Sequence, residues 1–403
     1  MLRRLMVTVG LGALIAAAHL APVQAQHVGP QSESYRSTAR FARDAGPIPF
    51  ELFRGTRIFF QGTVNGQPAM MMLDSGASSS VLNRSFAQRI GAREGQAIQA
   101  RGAGGTEEGS IAPGVTLEAG SLTVSGASVL VLDLDGIARQ IGHPIDVILG
   151  METFRAGIVD IDFPQHRISF MPAQGFTPPA GAIAVPVTEA DGGRTIPVSV
   201  NGAPPVAADL DIGNGSALIL SRSYWTSNPA IAGLPFASAT AGGVGGRVPK
   251  RLVTLPSVSV GGHTFQAVPA LLNEGANDLP ETGANIGIDL LQRFRMLFHY
   301  GRSTLYLVPN PAAIAEPLPK NRLGLRLELA GDRLRVAEVI AGSPGAEAGW
   351  RAGDEVISVN GTLVDPRFYY RDDVRFSTMP AGTRVELVRA DGTSLPVTLR
   401  DFY

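Results

Sequence analysis

Met72-Leu73-Asp74-Ser75-Gly76-Ala77-Ser78 and Ala208-Asp209-Leu210-Asp211-Ile212-Gly213-Asn214 both run from apolar residues into an aspartate and a glycine turn, and 211 − 74 = 137. A second landmark follows each block. Ile148-Leu149-Gly150 trails the first and Asn285-Ile286-Gly287 the second, and 287 − 150 is again 137. Upstream of each block an Asn-Gly pair, Asn65-Gly66 or Asn201-Gly202, separates two apolar runs, the strongest short-range hairpin signal. Here the lag is 201 − 65 = 136, so one residue is inserted between turn and aspartate. This pattern predicts two copies of one β domain, each supplying one carboxylate. Two carboxyls about 3 Å apart cannot both ionise, so they share a proton and offer an acid and a base together.

Beyond the aspartate turn each half continues alike. A short apolar strand follows the aspartate turn, Ser80-Val81-Leu82 or Ala217-Leu218-Ile219-Leu220. A glycine-rich stretch comes next: Gly102-Ala103-Gly104-Gly105 in the first half, Gly243-Val244-Gly245-Gly246 in the second. The first suits a mobile hairpin that closes over a ligand. The second is either such a hairpin or a shorter, vestigial one. An acid stands two residues after each landmark glycine, Glu152 or Asp289, and a closing strand pair ends each half. The expected fold is mainly β, with lobes at 49–175 and 176–310, a linker at 311–320 and an α+β module at 321–403.

The remaining sequence narrows the chemistry. Of 403 residues, 44% are hydrophobic and 17% charged, which fits packed cores, and the net charge of −1 gives no reason to expect a nucleic-acid partner. There is no cysteine, so no thiolate nucleophile, disulfide or cysteine zinc site. The six histidines have no ligand spacing such as H-E-x-x-H, so no metal or cofactor is expected. Arg3 and Arg4, an apolar run from Leu5 to Ala18 and Val23-Gln24-Ala25 read as a cleavable export signal over residues 1–25. The run falls short of the ~18 residues that a membrane span needs, so no stable span is expected after cleavage. The expected location is secreted or periplasmic. Residues 26–48 are polar, lack periodicity and read as an arm.

Taken together, the Asp74-Ser75-Gly76-Ala77 block, the glycine-rich stretch and Val147-Ile148-Leu149-Gly150 resemble the aspartic protease superfamily. The resemblance covers roughly residues 50–310, twice over. It is closest to the bacterial retropepsin-like group, in which two protease repeats precede a PDZ domain. It implies a two-lobed acid-protease fold, hydrolysis of polypeptides, Asp74 and Asp211 as catalytic residues, and Gly102, Gly104 and Gly105 as flap. It also implies Ser75, Gly76, Ala77 and Gly213 as the active-site turn, with Ser75 bonding across the seam. The second half departs from the pattern. Ile212 replaces Ser or Thr, Asn214-Gly215-Ser216 replaces a small residue, Asp209 charges an apolar strand position and Asn285 interrupts the landmark. Two other readings stay open: a peptide-binding protein whose second lobe has lost its chemistry, and a homodimer that pairs Asp74 lobes. Ala77 cannot donate a hydroxyl to an ionised Asp74, so the pair is expected to titrate higher than in pepsin-like enzymes.

Residues 321–403 resemble a bacterial PDZ domain through Leu323-Gly324-Leu325, Gly342-Ser343-Pro344-Gly345-Ala346, Gly353-Asp354-Glu355-Val356-Ile357 and Val359-Asn360-Gly361. That resemblance implies capture of a C-terminal peptide by backbone N–H groups at Leu323, Gly324 and Leu325. The peptide would lie against a helix expected over about 366–378.

Overall fold

A computed structural model describes residues 37–43, 45–190, 193–275 and 282–403. The export signal and the start of the polar arm lie outside them. The fold is mainly β, as expected. In the first lobe the strand Gln67–Leu73 lies parallel to Val147–Leu149, with Ile148 opposite Met72. Val147–Leu149 in turn pairs antiparallel with Val81–Asn83. The second lobe repeats this arrangement. Val206–Leu210 lies parallel to Ala284–Ile286, with Asn285 opposite Asp209, and Ala284–Ile286 pairs antiparallel with Leu218–Leu220. The Asn-Gly turns sit where the sequence puts them. Asn65 and Gly66 have φ of 49° and 75°, Asn201 and Gly202 51° and 73°, the double left-handed geometry of a tight hairpin.

The lobes are joined at their base by one antiparallel sheet of six strands: 183–186, 304–309, 294–299, 158–162, 167–171 and 48–49. In its middle Val159 faces Phe298, Asp160 faces Leu297 and Ile161 faces Met296. Since 297 − 160 = 137, the central pair is its own image in the repeat, so the approximate two-fold axis passes through it. Asp160, buried there, accepts two bonds from Arg295, Nε at 2.9 Å and Nη2 at 2.6 Å, a fork geometry that lets a carboxylate leave water. Residues of the polar arm are partly structured. Thr38–Phe41 pairs with Leu122–Leu132, and Ile48–Pro49 forms one edge of the base sheet.

The C-terminal module has strands Leu325–Ala330, Arg333–Val339, Glu355–Val359, Thr362–Leu363 and Leu387–Arg389. Its short helix Pro344–Glu347 is capped by Ser343, whose Oγ accepts from the Ala346 N–H. The helix expected over 366–378 is not one continuous α-helix. Two 3₁₀ segments, Phe368–Tyr370 and Asp372–Thr378, occupy that stretch. Phe368, Tyr369, Val374 and Phe376 are all buried, at steps of one, five and two residues that no single α-helical face matches. These side chains share a core with Phe53, Phe59, Leu134 and Ile145 of the first lobe. The module is therefore docked on the first lobe rather than tethered beside it.

Candidate active site

Each aspartate is set by the end of a strand. The Asp74 N–H donates to Leu149 O at 3.0 Å and the Asp211 N–H to Ile286 O at 3.1 Å. The two side chains meet on the seam within one chain, each lying against the turn glycine of the opposite lobe. The turn glycines permit this approach. A Cβ on Gly76 would lie 2.6 Å from Asp211 Cγ, and one on Gly213 would lie 2.2 Å from Asp74 Cγ. Ser75, fully buried, serves the seam in both directions: its Oγ donates to Leu210 O at 2.7 Å and accepts from the Ile212 N–H at 3.1 Å. One hydroxyl thus makes two cross-seam bonds, although Ile212 offers none from its side.

The departures in the second half form a network that holds Asp211. Asn285 Nδ2 donates to Asp211 Oδ2 at 2.8 Å, and the Asn214 N–H donates to Oδ1 at 2.9 Å. Asn214 Nδ2 donates to Asn285 Oδ1 at 2.7 Å, and its own Oδ1 accepts from the Ser216 N–H and Oγ. In the first half Asp74 Oδ1 accepts one such bond, from the Gly76 N–H at 2.8 Å. Asp211 thus receives two donors, one to each carboxyl oxygen, where Asp74 receives one. Burial, then the Asp211 charge, pushes the Asp74 carboxyl up to about 8, against the opposing pull of the Gly76 N–H and Arg57. Sequence reasoning treated Asn214 and Asn285 as defects. That both depart at once, 71 residues apart, was the available signal of a pair.

Around the pair, Glu152 braces the first turn. It accepts from Ser79 Oγ at 2.7 Å, the Ser80 N–H at 2.8 Å and Ser80 Oγ at 2.9 Å. Its counterpart Asp289 does something else: it accepts from Gln292 Nε2 at 3.3 Å, and burial pushes its carboxyl up to about 7. Arg57, which sequence reasoning missed, lies against Gly215 of the other lobe and donates to Thr56 O at 2.7 Å. Burial pulls its pKa down, while Asp211 and then Asp74 hold it up.

Both glycine-rich stretches are full hairpins. Strands Ala97–Gly102 with Gly105–Ala119, and Phe236–Gly243 with Gly246–Val260, form matching flaps. Their tips touch: the Gly104 N–H donates to Val244 O at 2.9 Å, and a Cβ on Gly104 would sit 2.0 Å from Gly246 O. Asp74, Asp211, Gly76, Ala77, Gly213 and Gly102 line a cleft of about 790 Å³.

Leu323, Gly324 and Leu325 lie elsewhere, and their surroundings are already bonded. Asn321 Oδ1 accepts from the Leu323 and Gly324 N–H groups, both at 3.0 Å. Tyr369 Oη donates to Leu327 O at 2.9 Å, and the first-lobe helix Asp135–Ile141 packs on Leu325–Ala330. A peptide added to this edge must displace those contacts. On its other side the module holds the second flap. Glu338 accepts from the Thr240 N–H at 2.8 Å and Oγ1 at 2.7 Å.

Residues 60–153 match the family described as Aspartyl protease, and residues 335–388 match the family described as PDZ domain. A solved structure similar to the chain is the aspartic proteinase from Irpex lacteus, at 13% identity and a TM-score of 0.44, with 67% of this chain and 99% of that chain covered. No curated protein matches the chain in sequence. The chain thus carries a retropepsin-like aspartyl protease domain, repeated in topology and in its aspartate by a second lobe, and a C-terminal PDZ domain.

Proposed function

We propose that the chain is an exported aspartic endopeptidase that cleaves extended polypeptides across the lobe seam with Asp74 and Asp211. The observation that carries this reading is the pair itself: two carboxyls from two lobes, brought together on the seam, one pushed far above the carboxylate range. In the reaction the Asp211 carboxylate takes a proton from a water lying between the pair. The resulting hydroxide forms a bond to the peptide carbon, and Asp74 gives its proton to the carbonyl oxygen. When the tetrahedral carbon collapses, the C–N bond breaks and the proton on Asp211 passes to the leaving nitrogen. Proton transfer from the oxygen back to Asp74 restores the starting state. The two flaps, closed tip to tip, exclude water from the site. Export rests on residues 1–25, which would be removed. The PDZ domain, docked as it is, would act first as a wall of the cleft, and any recruitment of C-terminal peptides would require it to undock.

The test is cleavage of a mixed peptide library by residues 26–403, followed across pH. Activity requires one proton on the pair. Asp74, at about 8, gives its proton up only above neutrality. Activity is therefore expected to extend through mildly acidic pH to near neutrality and to fall as pH rises through about 8. A profile that peaks below about pH 3 contradicts this. Peptide bound but not cleaved at any pH would favour a binding protein.

A further inference from the structure

The wall of the cleft is strongly cationic. Most of its positive side chains are already engaged. Arg247 and Arg326 pair with Glu338, and Arg54 lies over the Tyr369 ring. Lys250 is hydrogen-bonded to Asn273. Arg57 and Arg375 differ: among the described residues neither has a carboxylate within ion-pair distance, yet both line the cleft. Both also rest on glycines, where no side chain keeps them out. Arg57 Nη1 is 1.8 Å from where a Cβ of Gly215 would be, and Arg375 Nη2 is 1.0 Å from where a Cβ of Gly55 would be. Both line the same cleft, and Gly55, on which Arg375 rests, is two residues from Arg57 in the chain. Both act on the same buried acid, Asp289, whose carboxyl is occupied by Gln292. Arg57 is the inner of the two, next to the aspartates. Arg375, exposed at the mouth, comes from the PDZ domain.

We propose that Arg57 and Arg375 form a subsite for an acidic side chain of the polypeptide beside the scissile bond, so that the PDZ domain takes part in choosing the substrate. This deepens, and rests on, the proteolytic reading. A guanidinium held at the edge of a low-dielectric cleft gains more from a carboxylate than a surface arginine does, and its planar fork fits the two oxygens. A glutamine of the same shape forfeits the charge. The Asp74–Asp211 pair carries a single negative charge, which leaves the lining net positive and favours acidic chains on approach.

The test uses peptide pairs that differ only as Glu or Gln at each position flanking the cleaved bond, with the full mature chain and its Arg375→Ala and Arg375→Glu variants. At one position kcat/KM is expected to favour Glu over Gln by about tenfold at low salt, and less at high salt. Arg375→Ala should lower that ratio, leaving the part that Arg57 supplies, and Arg375→Glu should shift preference toward Lys at the same position. Cleavage with no Glu preference at any position, or a preference that Arg375→Ala leaves undiminished, would overturn the subsite while leaving proteolysis intact. Binding of the same fluorescent peptides to Asp74→Asn separates the two readings. A Glu preference that Arg375→Ala weakens supports the subsite even if nothing is cleaved, and equal binding of Glu and Gln peptides overturns it.

Discussion

Asp211→Asn is expected to lower kcat/KM by about 10⁴-fold, with no loss of folding. The second lobe carries every departure from the family pattern, so it is where a loss of chemistry would sit. The geometry argues otherwise. Asp211 is the better supplied of the two carboxyls, with donors from Asn285 and from the Asn214 backbone. Its charge is the second largest cause, after burial, of the raised Asp74 value. Replacing it by an amide removes the base and also lets Asp74 ionise at lower pH, so the acid is lost with it. Thermal melting beside the kinetics would show that the variant is folded. Retention of more than about a tenth of the parent activity would mean that Asp74 works without an intramolecular partner.

Gly213→Ala is expected to have the second largest effect, on activity and stability together. The added methyl would stand 2.2 Å from Asp74 Cγ and 2.4 Å from both carboxyl oxygens. Asp74 cannot simply retreat, because its N–H is bonded to Leu149 O and its Oδ1 to the Gly76 N–H. Relief has to come from opening the seam, which strains the two bonds of Ser75. Overpacking of this kind costs about 1–3 kcal/mol. Activity should fall by about 10²-fold or more, because a displacement near 1 Å is enough. Gly136→Ala is the control, since nothing among the described residues lies within 4 Å of its Cβ position. Denaturant midpoints and kcat/KM on both variants check this. Parent-like values for Gly213→Ala would mean that the aspartates do not pack on the opposite turns.

Much of this site was legible because its parts are local and repeated. An aspartate after an apolar run, a glycine in the turn and an Asn-Gly pair each declare a backbone shape within a few residues. The constant lag of 137 then ties the halves together. The lag even locates the axis, through Asp160 and Leu297. What stayed hidden depends on contacts between distant segments. Asn214 and Asn285 look like losses until they are seen bonded to each other and to Asp211. Arg57 belongs to a strand with no distinguishing motif, and only the opposing Gly215 shows where it goes. The second flap could not be judged from four glycine-rich residues, because its length is set by pairing of the whole strand Gly246–Val260. Nothing in residues 321–403 announces that Asn321 will take the Leu323 and Gly324 amides, or that Glu338 will reach Thr240.

The proposed chemistry stands on a single proton shared by two carboxyls of one chain. A difference titration of the parent against the Asp74→Asn, Asp211→Asn double variant, between pH 4 and 9, measures it without any substrate. The pair is expected to hold one proton still at pH 6 and to release it near 8. Two carboxyls that are both ionised by about pH 5, like isolated aspartates, would contradict it.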